Sequence, residues 1–311
     1  MEPHFAAPQS ADLLDWHPFH TSHWPRSISG PEELAAAPLA REGPQAARLR
    51  LSWDLGSHVT EQQKKATIKA WCAELPKMQE LRWLSVWSHA TPPLFEALCQ
   101  LPGLECLQIK WSNLKSLDGI ENLRNLKYLW IGSSTRVASI EPLAQLENLE
   151  FLSIENFKLI DDFTPLTRLT KLHTLEVAGS MWTRQKVGTL EPFAQMHWLK
   201  SLAVDTAGLD SLAPLARLKN LRRLGLPGSM PMPEYAGLAA QLPQTECRWF
   251  APWIDLADSG IGKCDKCGQL SKIMLTGKGG GVLCRHCDAP KVKKREAAYE
   301  AAYQAAKRAG A

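Results

Sequence analysis

Through the middle of the chain the apolar positions recur as Leu-x-x-Leu-x-(Leu/Ile/Val). The pattern starts at Leu81 ("LRWLSV"), Leu104 ("LECLQI"), Leu126 ("LKYLWI"), Leu149 ("LEFLSI"), Leu172 ("LHTLEV"), Leu199 ("LKSLAV") and Leu221 ("LRRLGL"). Successive starts lie 23, 22, 23, 23, 27 and 22 residues apart. The alternation predicts a short strand in each unit, with positions 4 and 6 turned inward and positions 3, 5 and 7 outward. A second apolar set follows, as in "SIEPLAQL" and "DFTPLTRL", with Pro142, Pro165, Pro192 and Pro214 at one shared place. Proline fixes φ and lacks the N–H that a first helical turn leaves unpaired, so it starts a short helical return. One strand and one brief helix cannot close a core. Stacked units can, with their strands aligned in a parallel sheet.

These seven units, from about 81 to 243, resemble the leucine-rich repeat family in the style of bacterial internalin repeats. The resemblance implies an α/β solenoid, an arc whose concave face is a parallel sheet. The family usually sets an asparagine at the ninth place of the unit. Here that place holds His89, Ser112, Ser134, Phe157, Ser180, Ala207 and Ser229, so the internal asparagine ladder is expected to be absent or replaced. Solenoid ends need covers. Residues 46–80 supply an N-terminal cap, with "ARLRLSWD" as a strand and "TEQQKKATIKAWCAEL" as an amphipathic helix. Residues 244–260 supply a C-terminal cap through Trp249, Phe250 and Trp253. The first 45 residues hold seven prolines along with Trp16, Phe19 and Trp24, which reads as an irregular arm that docks by its aromatics or as a mobile leader.

Composition changes this picture little. At 311 residues, with 45% hydrophobic and 22% charged side chains, the chain has room for one extended soluble domain and a small appendage. Charge is more telling, because it is unevenly spread. From Ile261 onward there are 11 Lys or Arg against 4 Asp or Glu, while the remainder is slightly acidic. Any attraction to polyanions therefore belongs to the last fifth. No apolar run is long enough to span a bilayer, and the first residues do not read as a signal peptide. Cys72, Cys99, Cys106 and Cys247 are scattered, a usage that suits a reducing cytoplasm.

The other four cysteines are not scattered. Cys264 and Cys267 form one Cys-x-x-Cys pair, and Cys284 and Cys287 form a second, sixteen residues further on. Each knuckle turns two thiolates toward one point, which fits one structural, tetrahedral Zn2+. "KIMLTGKGGGVL" between them reads as a hairpin, and Gly268 falls where a knuckle needs a left-handed backbone. Residues 261–290 thus resemble a zinc ribbon or treble-clef finger, followed at 291–311 by a basic, alanine-rich helix. Four cysteine ligands leave no position for a catalytic water. A redox role would need a βαβ setting that the sequence lacks.

Outward strand positions then suggest function. Trp83, Trp87, Tyr128, Trp130 and Phe151 line the early units, with Trp111 beside them. Glu155, Glu176 and Asp205 follow, and the long fifth unit adds a loop carrying Trp182 and Arg184. Aromatics clustered on a rigid sheet are the usual anchors of a binding surface. Cys106 and His173 are expected at exposed positions, without a nucleophile–base partner. The expectation is a cytoplasmic, non-catalytic scaffold that binds a protein partner on this face, such as an immunity or regulatory factor. The alternative is a nucleic-acid-associated adaptor that uses the finger and the basic helix, with Lys291, Lys293, Lys294 and Arg295 contacting phosphate.

Overall fold

A computed structural model of the chain describes residues 24–36, 39, 41, 47–54, 58–180, 182–206 and 208–310. Most of the expected arm, Trp16 and Phe19 included, lies outside the described residues. The chain divides into two compact units that meet in sequence after Val187.

The first unit carries six strands: β1 (Arg48–Leu51), β2 (Trp83–Ala90), β3 (Cys106–Ser112), β4 (Tyr128–Ile131), β5 (Phe151–Glu155) and β6 (Thr174–Ala178). Each pairs in parallel with the next, in chain order. The register follows the repeat: Leu84, Leu107, Leu129, Leu152 and Leu175 lie side by side. All five are fully buried, as are Leu104, Leu126, Leu149 and Leu172, which open their units. Burying one such side chain stabilises the fold by about 1.5–3 kcal/mol, and every unit repeats the contribution. The proline-led returns at Glu141–Gln145 and Thr164–Arg168 are single 3-10 turns.

The segment ahead of the first repeat holds a strand, β1, and a helix. Helix α2 (Glu61–Glu74) begins at Thr60, which makes a capping box with Gln63, and it buries Trp71. The Trp71 indole N–H donates to Ser29 O at 2.7 Å, and Ile28 bridges Leu51 of β1. Residues 28–30 are thereby held along the free edge of β1, ahead of the short helical turn α1 (Glu33–Ala36). A further helix, α3 (Pro92–Leu98), follows β2.

The second unit continues the repeat with the helical turn α4 (Glu191–Ala194) and the parallel pair β7 (Ser201–Val204) and β8 (Arg223–Gly225). Helix α5 (Met232–Gln241) ends the repeats. Three antiparallel strands follow, β9 (Trp253–Asp255), β10 (Lys272–Leu275) and β11 (Val282–Cys284), and then the long helix α6 (Ala289–Ala309). Strand β9 comes from the expected C-terminal cap, so cap and hairpin share one sheet.

Two polar ladders run between units. Asn125 and Asn148, just before the first leucine of their units, donate to Pro102 O (2.9 Å) and Arg124 O (2.8 Å) of the preceding unit. Asn220 does the same to His197 O in the second unit. Asparagines therefore do bridge units: three do so ahead of the strand, and Asn156, just after β5, donates to Ser133 Oγ of the preceding unit at 3.2 Å. At the ninth place a hydroxyl pair substitutes, with Ser112 Oγ and Ser134 Oγ 2.7 Å apart. The second ladder is ionic. Lys127 pairs with Glu105 at 3.1 Å, Arg168 with Glu141, and Arg217 with Glu191. His173 stands 3.7 Å from Glu150 and completes the series when protonated.

Candidate partner-binding face and thiol cluster

The outward positions of β1 to β4 form a layer of rings and cations. The structure leaves Trp83, Trp87, Tyr128 and Trp130 half-buried. Trp83 and Tyr128 lie 5.9 Å apart between ring centres. Trp24, from the start of the described chain, meets Trp83 edge-on at 5.8 Å. The Arg48 guanidinium lies 3.8 Å from the Trp83 ring centre, and Arg50 lies 4.4 Å from that of Trp87. Lys110 Nζ stands 4.2 Å from the Trp87 ring and 4.5 Å from that of Trp111. Such cation–ring contacts contribute about 0.5–2 kcal/mol each, more when water is excluded. Partial burial lowers the pKa of Lys110 and Arg50, and for Lys110 the nearby Arg50 charge adds to the effect. Burial likewise raises the Glu155 carboxyl, an effect that Lys110 opposes.

A bulge positions Trp87. Val86 pairs with Ile109 and His89 with Trp111, so Trp87 and Ser88 together oppose Lys110. Extra residues of this kind re-aim side chains at sheet edges and near functional sites. Ser88 Oγ accepts from Trp53 N at 2.7 Å and Asp54 Oδ2 accepts from His89 N at 3.0 Å, which fixes the bulge. The Trp87 indole N–H is buried without an acceptor among the described residues.

Several outward positions differ from the sequence expectation. Phe151 is only 1% exposed and presents no accessible ring. Cys106, expected to be exposed, is fully buried, and burial pushes its thiol well up. Ser85 Oγ donates to Gln108 Oε1 at 2.6 Å, and both are buried. Alternation fixes which way a side chain leaves the strand, but not what lies over it. Glu155, Glu176 and Asp205 are half-buried. His173 Nδ1 contacts the Thr174 hydroxyl at 3.1 Å, and its Nε2 stands 3.7 Å from Glu150. A shallow cavity of about 390 Å³ on the turn edge is lined by Arg82, Gly103, Glu105, Asn125, Lys127 and Asn148, where Lys127 and Glu105 pair with each other.

The long fifth unit makes an anchored turn. Ser180 N donates to Thr183 O at 2.6 Å, and Trp182 N donates to Ser180 Oγ. Behind it Gln185 is 2% exposed and acts as a polar pin. Its Oε1 accepts from Phe157 N, and its Nε2 donates to the carbonyls of Phe157, Ile160 and Lys186. Trp182 is presented on this turn at 87% exposure. Sequence reasoning missed Gln185. Its one signal is that the extra residues of this unit bring an amide to the loop that opens with Phe157.

The second cluster joins the four paired cysteines. All four Sγ atoms lie within 4.8 Å of one another. Cys267 and Cys284 are 3.6 Å apart and Cys264 and Cys287 4.0 Å, far beyond a disulfide bond. Four sulfurs on a tetrahedral ion at roughly 2.3 Å sit about 3.8 Å from one another, so the observed spacing fits such an ion. Local backbone explains the convergence. Gly268 takes φ +73° and donates to Cys264 O at 2.8 Å, closing the first knuckle. Cys287 N donates to Cys284 Sγ at 3.3 Å, closing the second. The Cys287 N–H and the Ser271 hydroxyl pull the Cys284 thiol down to about 6. Contacts with the Cys284 and Cys267 sulfurs hold Cys287 up at about 12. Four thiols this close cannot all ionise without a cation between them, and with one they can hold a metal ion.

The leucine-rich repeat region family matches residues 59–244, more than half of the chain, and the protein belongs to it. Proteins of this family commonly serve as interaction scaffolds. Among solved structures, an internalin from Listeria monocytogenes is 19% identical over 55% of this chain and 55% of its own, with a TM-score of 0.42. A leucine-rich repeat protein from Leptospira interrogans is 17% identical over 71% of this chain and 52% of its own, with a TM-score of 0.48. The Arabidopsis receptor kinase HAESA, solved with the peptide hormone IDA and the co-receptor SERK1, is 18% identical over 55% of this chain and 30% of its own, with a TM-score of 0.40. The chain spans about half the length of the first of these. No curated protein matches it.

Proposed function

We propose that this protein is a non-catalytic recognition scaffold, and that it grips a protein partner on the outward face of β2 to β4. The observation that carries this reading is the half-buried layer of Trp83, Trp87, Tyr128 and Trp130 on neighbouring strands, with Arg50 and Lys110 laid on the Trp87 ring. Broad rings on a rigid sheet bury much area at little entropic cost, and guanidinium and ammonium groups beside them select carboxylates. Trp182 on its anchored turn supplies a second apolar contact, and Glu155 and Glu176 orient the partner. An immunity or regulatory factor acting in the cytoplasm fits both this chemistry and the absence of disulfides among the described cysteines.

Cys264, Cys267, Cys284 and Cys287 would hold one structural Zn2+, which supplies cross-linking and no reaction. Less supports a nucleic-acid reading of the finger. Arg295 donates to Thr276 O, and Lys291 lies 3.7 Å from Asp288, so half of the basic cluster is engaged within the protein.

The test is capture of partners from lysate, identified by mass spectrometry, with wild type beside Trp130→Ala and Trp87→Ala. Loss of the same protein in both variants, each still showing a cooperative thermal melt, is the expected result. Unchanged capture by both folded variants rejects the reading.

A further inference from the structure

We propose that the thiol module is the C-terminal cap of the repeats, and that metal occupancy of its four cysteines controls whether α5 and β8 stay folded. The proposal rests on the metal reading above. It begins from the continuity of the chain. Trp249 closes the last repeat: its indole N–H donates to Leu226 O at 2.8 Å, and its ring lies 5.9 Å from that of Tyr235 in α5. Four residues later the same stretch enters the hairpin sheet as β9, with Trp253 opposite Leu275. No linker separates cap from module.

Further contacts tie the module together and bind it to α5 and the residues just before it. At the hairpin end, Lys278 N donates to Met230 O at 2.7 Å, and Thr276 Oγ1 donates to Ala251 O at 2.5 Å. Gly277, at φ +89°, comes so close to α5 that an added Cβ would stand 2.7 Å from Met232 N. From the other side, α6 begins two residues after Cys287 and lays Tyr299, Ala302 and Tyr303 on Met232 and Ala236. Gln241 Nε2 reaches Ala306 O at 3.0 Å at the far end of the pair, and the Trp253 indole N–H donates to Glu296 at 2.9 Å. Hairpin, α6, α5 and Trp249 thus form a closed ring of contacts. The thiol cluster fixes both the hairpin and the start of α6.

The hairpin side of that ring has little to hold it without the ion. A three-strand sheet this small is marginal in water, and this one fully buries the single aliphatic side chain Ile273. Terminal repeats need a cover to protect their cores. Losing the ion therefore frees the hairpin and the start of α6, and with them the cover over Met232 and Ala236. In a cell, removal of the ion by a stronger chelator would open the last repeat while leaving the earlier ones folded.

The experiment uses the full chain loaded with Zn2+, counted by metal analysis, and follows hydrogen exchange with and without a chelator. Exchange should rise at least tenfold in 272–284, in α5 and in β8, remain unchanged in β3 to β5, and reverse on adding Zn2+. Tyr299→Ala gives a second arm: α5 should lose protection while the metal count stays at one. If chelation frees only 262–288 and α5 keeps its protection, the capping role is overturned and the metal site stands. If the chain takes up neither Zn2+ nor Co2+, the metal reading and this inference fall together.

Discussion

Each of the middle repeats fully buries three strand-side apolar residues, such as Leu149, Leu152 and Ile154, whereas the thiol module leaves Ile261, Leu270 and Val282 exposed. The repeats gain stability from many equivalent contacts, so damage to one unit is shared with its neighbours. The module places its stability in one point where four sulfurs meet. Two regions of one chain thus fail in different ways, one gradually and the other at a single site.

The largest test of that contrast is Cys284→Ser. Structural Zn2+ in small modules contributes on the order of 10 kcal/mol, so the variant should lose its metal and all exchange protection in β10 and β11. Next comes Leu129→Ala. A cavity in a rigid core costs about 2–5 kcal/mol, read as a lower urea midpoint with the metal count unchanged. Gln185→Ala should cost about 1–3 kcal/mol, because it strands the Phe157 N–H and removes the donor from three carbonyls. Faster exchange confined to 156–187 would mark its role as a local pin. Smallest is Arg168→Ala, an exposed pair worth about 0–1 kcal/mol. A shift above that range would show that the ionic ladder carries stability and would weaken the contrast.

Much of this arrangement was legible in the sequence. Leucine spacing prescribes the strands and their register because burial tolerates no one-residue slip. Cysteine spacing prescribes the cluster because two knuckles on a hairpin must face each other. The rest depends on what lies above or between units. Nothing local says that Phe151 and Cys106 are covered, or that Trp24 returns to meet Trp83. Asn125, Asn148 and Asn220 escaped notice because the familiar place for asparagine is after the strand. Here the carbonyls needing donors come before it.

The ionic ladder has a consequence for how such a chain can be copied. Its turns alternate in chain order: Glu141, Arg168, Glu191, Arg217. The strand starts alternate as well, Glu105, Lys127, Glu150 and then His173. Sign alternates over these units only, since Lys200 and Arg222 follow His173 at the strand starts and Asp118 precedes Glu141 at the turns. Excising a single unit would bring two glutamate turns, Glu141 and Glu191, next to each other in order. Excising two would restore the alternation. Each mismatched turn would cost no more than an exposed pair contributes, about 0–1 kcal/mol, so length can change one repeat at a time wherever the leucine core is kept.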